Sequence, residues 1–208
     1  MGTLFSTHEF TKLKDLLVLY RCALKNMEMR VDTILEDFEN LQNNNPLEHV
    51  KFRLKTPESI AEKLERRGFE LTAESARGNL FDVAGVRCIC SYARDIPLIV
   101  DVFKRQPDIT ILEEKDYITN PKPSGYRSYH LIVKVPIHLT NETEYLPVEI
   151  QIRTQAMDFW AALEHKVRYK YNNKMPEHLH KELIDCASEI SQLDERMYKV
   201  QEVLDLAY

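Results

Sequence analysis

"VEIQIRT", residues 148–154, alternates Val148, Ile150 and Ile152 with Glu149, Gln151 and Arg153. Successive side chains of a strand point to opposite faces, so one face of this segment is aliphatic and the other carries a carboxylate, an amide and a guanidinium in a row. The aliphatic face needs a core beneath it. The polar row faces either solvent or a site.

The flanking sequence supplies the rest of that sheet. "YHLIVKVPI" (129–137) and "GVRCICSY" (85–92) are rich in β-branched and aromatic residues and read as strands, with a weaker strand at "DITILEEKD" (108–116). "DIPLIVDVFKRQ" (95–106) and, after Thr154 as N-cap, "QAMDFWAALEHKVRYK" (155–170) read as helices. In "TPESIAEKLERRG" (56–68), Thr56 is placed as N-cap, Pro57 at the first helical position and Gly68 just past the end, which predicts a short helix. Strands interleaved with helices predict an α+β fold, a mixed sheet covered by helices.

Long amphipathic helices bracket this core. Phe10, Leu13, Leu17, Tyr20, Leu24, Met27, Val31, Ile34, Phe38 and Leu41 recur at spacings of three and four, until "NNNP" (43–46) ends the pattern. After Pro176 the device returns with Leu179, Leu183, Cys186, Ile190, Leu193, Met197, Val200 and Leu204. Two such seams need partners, either on the chain's own core or on another subunit. The expected organisation is an N-terminal helical segment (1–45), a core (46–172) and a C-terminal helix suited to oligomerisation (173–208).

Composition narrows the function classes. A net charge of −5 argues against coating duplex DNA, yet leaves room for a local basic pocket. Cys22, Cys88, Cys90 and Cys186 form no CxxC pair and no Cys/His set at metal spacing, so free, inert thiols in a reducing cytoplasm are expected. "MGTLFSTHEF" has no basic segment followed by an apolar run, and no stretch approaches 18 apolar residues, so neither a secretory signal nor a membrane span is expected. Gly2 offers only a weak myristoylation pattern.

Four clusters carry possible chemistry. On the short helix, Ser59, Lys63 and Arg66 share a stripe at i, i+4 and i+7, preceded by Arg53 and Lys55 in extended spacing. They suit phosphate oxygens, although a solvated basic face interleaved with Glu58, Glu62 and Glu65 has the same spacing. In "FDVAGVRCIC", Arg87 lies inside an apolar strand and requires a partner, either Asp82 in an ion pair or a ligand. "KPSGYRSYH" (122–130) is a Pro/Gly loop entering a strand, with Tyr126, Ser128 and His130 on one face beside Lys122, a set suited to a nucleobase above phosphates, although a structural Tyr and a surface His are commoner in general. Finally, Glu149 and Asp82 on neighbouring strands would pair two carboxylates for Mg²⁺, which takes oxygen ligands together with substrate phosphates. The chain has neither "GxxxxGK[ST]" nor "GxGxxG".

In order along the chain, "RxKxxxSIxxK", "DxAGVR", "SGYRSYH", "EIQIRT" and "AMDFWAxLEHK" resemble the synthetase domain of the RelA/SpoT stringent-response enzymes, specifically the single-domain small alarmone synthetases. The resemblance runs from about Asn45 to Asn172, and no hydrolase half is expected ahead of it. It implies a nucleotidyltransferase-like fold and transfer of the β,γ-pyrophosphate of ATP to the 3′-hydroxyl of GDP or GTP, leaving AMP and making ppGpp or pppGpp. Carried over by position, Arg53 and Arg87 sandwich the adenine, and Lys55, Ser59, Lys63 and Arg66 hold the ATP phosphates. Asp82 and Glu149 are the Mg²⁺ and catalytic carboxylates, Glu149 orienting or deprotonating the 3′-hydroxyl. Tyr126 stacks on guanine, Lys122 and His130 lie near the acceptor's phosphates, and Gln151 and Arg153 support the geometry.

Two departures stand out. Asp158 occupies a position near the guanine where some relatives carry Asn. Residues 48–52 read "EHVKF", with His49 and Lys51 where product-activated relatives carry Phe and Thr, which implies the subgroup without product activation. The resemblance also implies a homotetramer. The alternative is a regulatory module on the same fold that binds single-stranded RNA, with weak catalysis.

Overall fold

In the computed structural model, which describes residues 5–41, 45–171 and 175–205, the two faces of residues 148–154 separate as the alternation predicts. Val148, Ile150 and Ile152 are fully buried, while Glu149 and Gln151 remain partly open. They belong to β5 (Thr143–Thr154), the central strand of a five-stranded sheet. With β1 (Leu47–Leu54), β2 (Ala84–Cys90), β3 (Thr110–Asp116) and β4 (Tyr129–His138), the order is β1-β2-β5-β4-β3. Only the β2–β5 pair is parallel, so the sheet is mixed.

The aliphatic face is covered by α1 (Thr7–Leu41), whose stripe from Leu13 to Phe38 is buried in the same core as Val86, Cys88, Val148, Ile150 and Ile152. The first seam therefore finds its partner on its own chain: a strand face rich in Val and Ile matches a helical stripe of Leu, Tyr and Met. Each of those side chains contributes about 1.5–3 kcal/mol by leaving water. Leu41, the last member of the stripe, is exposed, and Asn43 and Asn44 of "NNNP" lie outside the described residues, as does Gly2.

The remaining helices follow local chemistry. In α2 (Pro57–Arg67), Thr56 Oγ1 accepts from the Ser59 N–H, Pro57 opens the first turn, and Gly68 closes the helix at φ +72°. The helix buries Ile60, Ala61 and Leu64, which leaves Lys63 on an adjoining stripe. α3 (Ala73–Asn79) starts from Thr72 in the same way. Asp95 accepts from the Tyr92 N–H where β2 gives way to α4 (Asp95–Lys104). Thr154 Oγ1 accepts from the Met157 N–H at the start of α5 (Gln155–Lys170), as an N-cap should.

The second seam, on α6 (Glu177–Asp205), behaves differently from the first. Ala187 is buried against α5 and the loop before β4, but Leu193, Met197, Val200 and Val203 are exposed. Leu204 lies outside the described side chains. Among the described residues no helix is long and apolar enough to cross a membrane.

Candidate active site

Strand register assembles the site in rows. Residues paired across neighbouring strands point to the same face, so the polar row of β5 recruits its neighbours by position. Glu149 lies beside Gly85 of β2, and Gly85 beside Arg53 of β1. One step along, Lys51, Arg87, Gln151 and His130 line up across four strands. Gly85 has no side chain, so the space between Arg53 and Glu149 stays open. A cavity of about 430 Å³ occupies it, lined by Lys51, Arg53, Lys55, Asp82, Arg87 and Glu149 among others.

Asp82 is the hub at the α2 end of the cavity. It sits in the turn just before β2 and not on a strand, which corrects the expectation of carboxylates on two neighbouring strands. Its Oδ2 accepts from Lys55 Nζ at 2.6 Å and from Lys63 Nζ. Burial pushes the Asp82 carboxyl upward, but the two ammonium groups more than offset it and hold the group below the usual carboxylate range. Desolvation lowers the pKa of Lys63, against the pull of Asp82.

Arg87 does not pair with Asp82. Its Nη1 donates to Asp158 Oδ1 at 3.2 Å. Four residues separate Asp82, in the turn, from Arg87 in the middle of β2, whereas the first turn of α5 brings Asp158 to Arg87. Asp158 also lies 3.5 Å from Arg153 Nε and 4.0 Å from Lys51 Nζ. It is thus the counter-ion of three cations.

The β4 end is a continuous chain of polar contacts. The Tyr126 hydroxyl is 2.9 Å from His130 Nε2, and His130 Nδ1 is 3.2 Å from Glu149 Oε1. Glu149 Oε2 accepts from Gln151 Nε2 at 2.9 Å, and Gln151 Oε1 accepts from Arg153 Nη2 at 2.7 Å. The two ring nitrogens of His130 thus bridge Tyr126 and Glu149. Burial pushes the Glu149 carboxyl up, but His130 and Gln151 outweigh it and hold the group below the ordinary value. Lys122 Nζ stands 4.4 Å from the ring centre of Tyr117 and 4.9 Å from that of Tyr126.

Most of the expected residues converge. Arg53, Lys55, Asp82, Arg87, Glu149 and Gln151 line one cavity, and Lys63 reaches it through Asp82. Lys122, Tyr126, His130 and Asp158 adjoin it through the contacts above. Ser59 and Arg66 do not line the cavity walls: the Ser59 hydroxyl accepts from Thr56 Oγ1 at 3.3 Å and Arg66 is exposed, one turn either side of Lys63. Ser128 is buried, and its hydroxyl donates to the Ile152 carbonyl at 3.3 Å. Two neighbours were missed. Lys51 follows from extending the Arg53, Lys55 alternation back by one step, whereas Tyr117 is brought in only by the β3–β4 connection and carries no local signal.

Cations and two carboxylates thus gather around one cavity of a mixed sheet, with aromatic rings at the far end. Residues 52–174 match the region found in RelA / SpoT proteins. The chain is 45% identical over 192 residues to GTP pyrophosphokinase YwaC of Bacillus subtilis (strain 168), covering 92% of this chain and 91% of the relative. It belongs to the RelA/SpoT family. Its fold matches the crystal structure of small alarmone synthetase 2 from Bacillus subtilis with a TM-score of 0.83 at 45% identity, covering 91% of this chain and 97% of that one. It also matches small alarmone synthetase 1 from the same organism. The structure of that protein bound to its product pppGpp gives a TM-score of 0.84 at 35% identity, covering 91% and 96% of the two chains. The structure bound to AMPCPP gives 0.77 at 32% identity, covering 92% and 97%.

Proposed function

We propose that this protein is a GTP pyrophosphokinase that transfers the β,γ-pyrophosphate of ATP to the 3′-hydroxyl of GDP or GTP, releasing AMP and forming ppGpp or pppGpp for the stringent response. The observation that carries the reading is the placement of Asp82 and Glu149 in one cavity, between the cations of β1, β2 and α2 and the Tyr126–His130 pair. Transfer of this kind needs in-line positioning and charge neutralisation more than covalent chemistry.

Arg53 and Arg87, diagonal neighbours on β1 and β2, are suited to clasp the adenine, with Lys55 and Lys63 at its phosphates and Ser59 and Arg66 extending that wall along α2. Tyr126 and Lys122 take the acceptor's base and phosphates. Glu149, held ionised and oriented by His130 and Gln151, accepts the proton of the attacking 3′-hydroxyl.

The residues also suit Mg²⁺. Asp82 Oδ1 is buried without a hydrogen-bond partner, Glu149 is ionised nearby, and hard carboxylate oxygens are what this ion takes. Among the described residues no group of three or more His, Cys, Asp or Glu could hold a metal. Two carboxylates would therefore share the ion with substrate phosphates. When bound, Mg²⁺ supplies neutralisation of the transferred phosphates. The same two carboxylates weigh against a module built to bind single-stranded RNA, since they would repel its backbone.

Residues 46–172 hold this site, and the exposed Leu193, Met197 and Val200 of α6, with Phe159 and Leu163 of α5, suit assembly into a homotetramer. Light scattering that returned the 24.5 kDa single-chain mass would overturn that assembly. His49 and Lys51 place the protein with the synthetases not stimulated by pentaphosphate product. A rate increase on adding pppGpp would contradict it.

The deciding experiment incubates the protein with Mg²⁺, γ-labelled ATP and either GDP or GTP, then separates the nucleotides by anion exchange. Label in a tetra- or pentaphosphate, with AMP released in equal amount, is the expected result. No transfer by folded protein that binds ATP would overturn the reading.

A further inference from the structure

The turn before β4 is held from outside the sheet by two helices. The Gly125 N–H donates to the Lys122 carbonyl at 2.8 Å and the Lys122 N–H to the Tyr126 carbonyl at 3.1 Å, so residues 122–126 close on themselves and bring Lys122 over the Tyr126 ring. Gly125 has φ +88°, in the left-handed region that favours glycine. A Cβ placed there would stand 2.7 Å from the Ala187 methyl, 3.5 Å from the Trp160 ring and 3.6 Å from Ile184 Cα. The turn backbone thus lies in van der Waals contact with α5 and α6 together.

Those two helices are fastened to each other and to the sheet at the same level. The Trp160 indole N–H donates to the Leu183 carbonyl at 2.8 Å, and the Thr154 hydroxyl donates to Asp194 Oδ2 at 2.7 Å. Between these two ties sits Ala187, buried and limited to a single methyl.

We infer that Ala187 is a positioning residue for the acceptor nucleotide. Its small side chain sets how deeply the 122–126 turn seats, and through the turn it sets where Lys122 and Tyr126 stand relative to Glu149. This rests on the reading of Lys122 and Tyr126 as acceptor contacts. The physical reason is that a close-packed junction does not absorb added carbons without displacement. A larger residue at 187 faces two pinned helices and one turn, and the turn is the softest of the three. The donor wall of Arg53, Lys55, Lys63 and Arg87 lies on β1, the residue just past it, α2 and β2, and makes none of these contacts.

A kinetic signature follows that general destabilisation would not produce. In Ala187→Leu, the KM for GDP and for GTP rises about tenfold while the KM for ATP changes less than about twofold, because misplacing a substrate contact by an ångström or less is enough for such losses. Ala187→Val, which adds two carbons and is tolerated in a helix, shows the same asymmetry at about threefold and decides the matter if the leucine variant does not fold. Ser188→Leu, on the exposed side of the same turn of α6, leaves both constants unchanged.

Tyr126→Leu is measured alongside to separate the two layers of the reading. If Tyr126→Leu raises the acceptor KM and a folded Ala187 variant does not, or raises both substrates' KM alike, Ala187 has no positioning role. If Tyr126→Leu itself leaves the acceptor KM unmoved, the assignment of the acceptor site is what fails.

Discussion

Asp158 accepts a hydrogen bond from Arg87 at 3.2 Å, tying the first turn of α5 to the middle of β2. The same carboxylate lies near Arg153 and Lys51, so one anion serves guanidinium and ammonium groups at both ends of the cavity. Position alone had suggested a contact to guanine. Asp158→Asn keeps the shape and removes the charge, and is expected to raise the KM for ATP several-fold as Arg87 loses its holder. A change confined to the acceptor KM would show instead that Asp158 serves the base.

Glu149→Gln tests the proton acceptor. The amide retains the size and the contact with Gln151 but takes up no proton, so kcat is expected to fall about 10³-fold. ATP binding measured by calorimetry stays within a few-fold of the parent. Substantial turnover would sink the role given to Glu149.

Asp82 makes stability depend on acid. Its folded pKa is depressed by Lys55 and Lys63, so its contribution is complete above the unfolded value, near pH 4, and is lost as pH falls through the lower folded value. Between pH 7 and 5 no change from this group is expected. Below pH 4 the parent should lose stability more steeply than Asp82→Asn in denaturant titrations. At pH 7 the variant is expected to be less stable by about 2 kcal/mol, because it leaves two ammonium groups facing a neutral amide, a milder form of breaking a fully buried pair.

Tyr20 is fully buried on α1, and its hydroxyl has no hydrogen-bond partner. Leaving that oxygen dry costs free energy that phenylalanine avoids. Tyr20→Phe is expected to raise stability by about 1 kcal/mol, or roughly 2–4 °C in Tm for a chain of this size. A lower Tm would mean that the hydroxyl is satisfied in solution.

Local pattern determined much of this molecule. The period-two alternation of residues 148–154 predicted one buried and one polar face, and Thr56, Pro57 and Gly68 marked both ends of α2, because side-chain direction and capping depend on neighbours within a few residues. The stripe from Leu13 to Phe38 announced a helix with one apolar side. It left open what that side touches, since a heptad seam looks the same against a sheet or another subunit.

Only the tertiary structure decided the partnerships. Arg87 had Asp82 nearby in sequence but bonds Asp158, 71 residues away, because strand register and the docking of α5 set the distance. Tyr117, just past β3, and Ala187, on α6, both reach the 122–126 turn, which no spacing along the chain records. The identity of each element follows from interactions within a few residues. The site follows from which elements bury their apolar faces against one another, and that choice belongs to the whole chain.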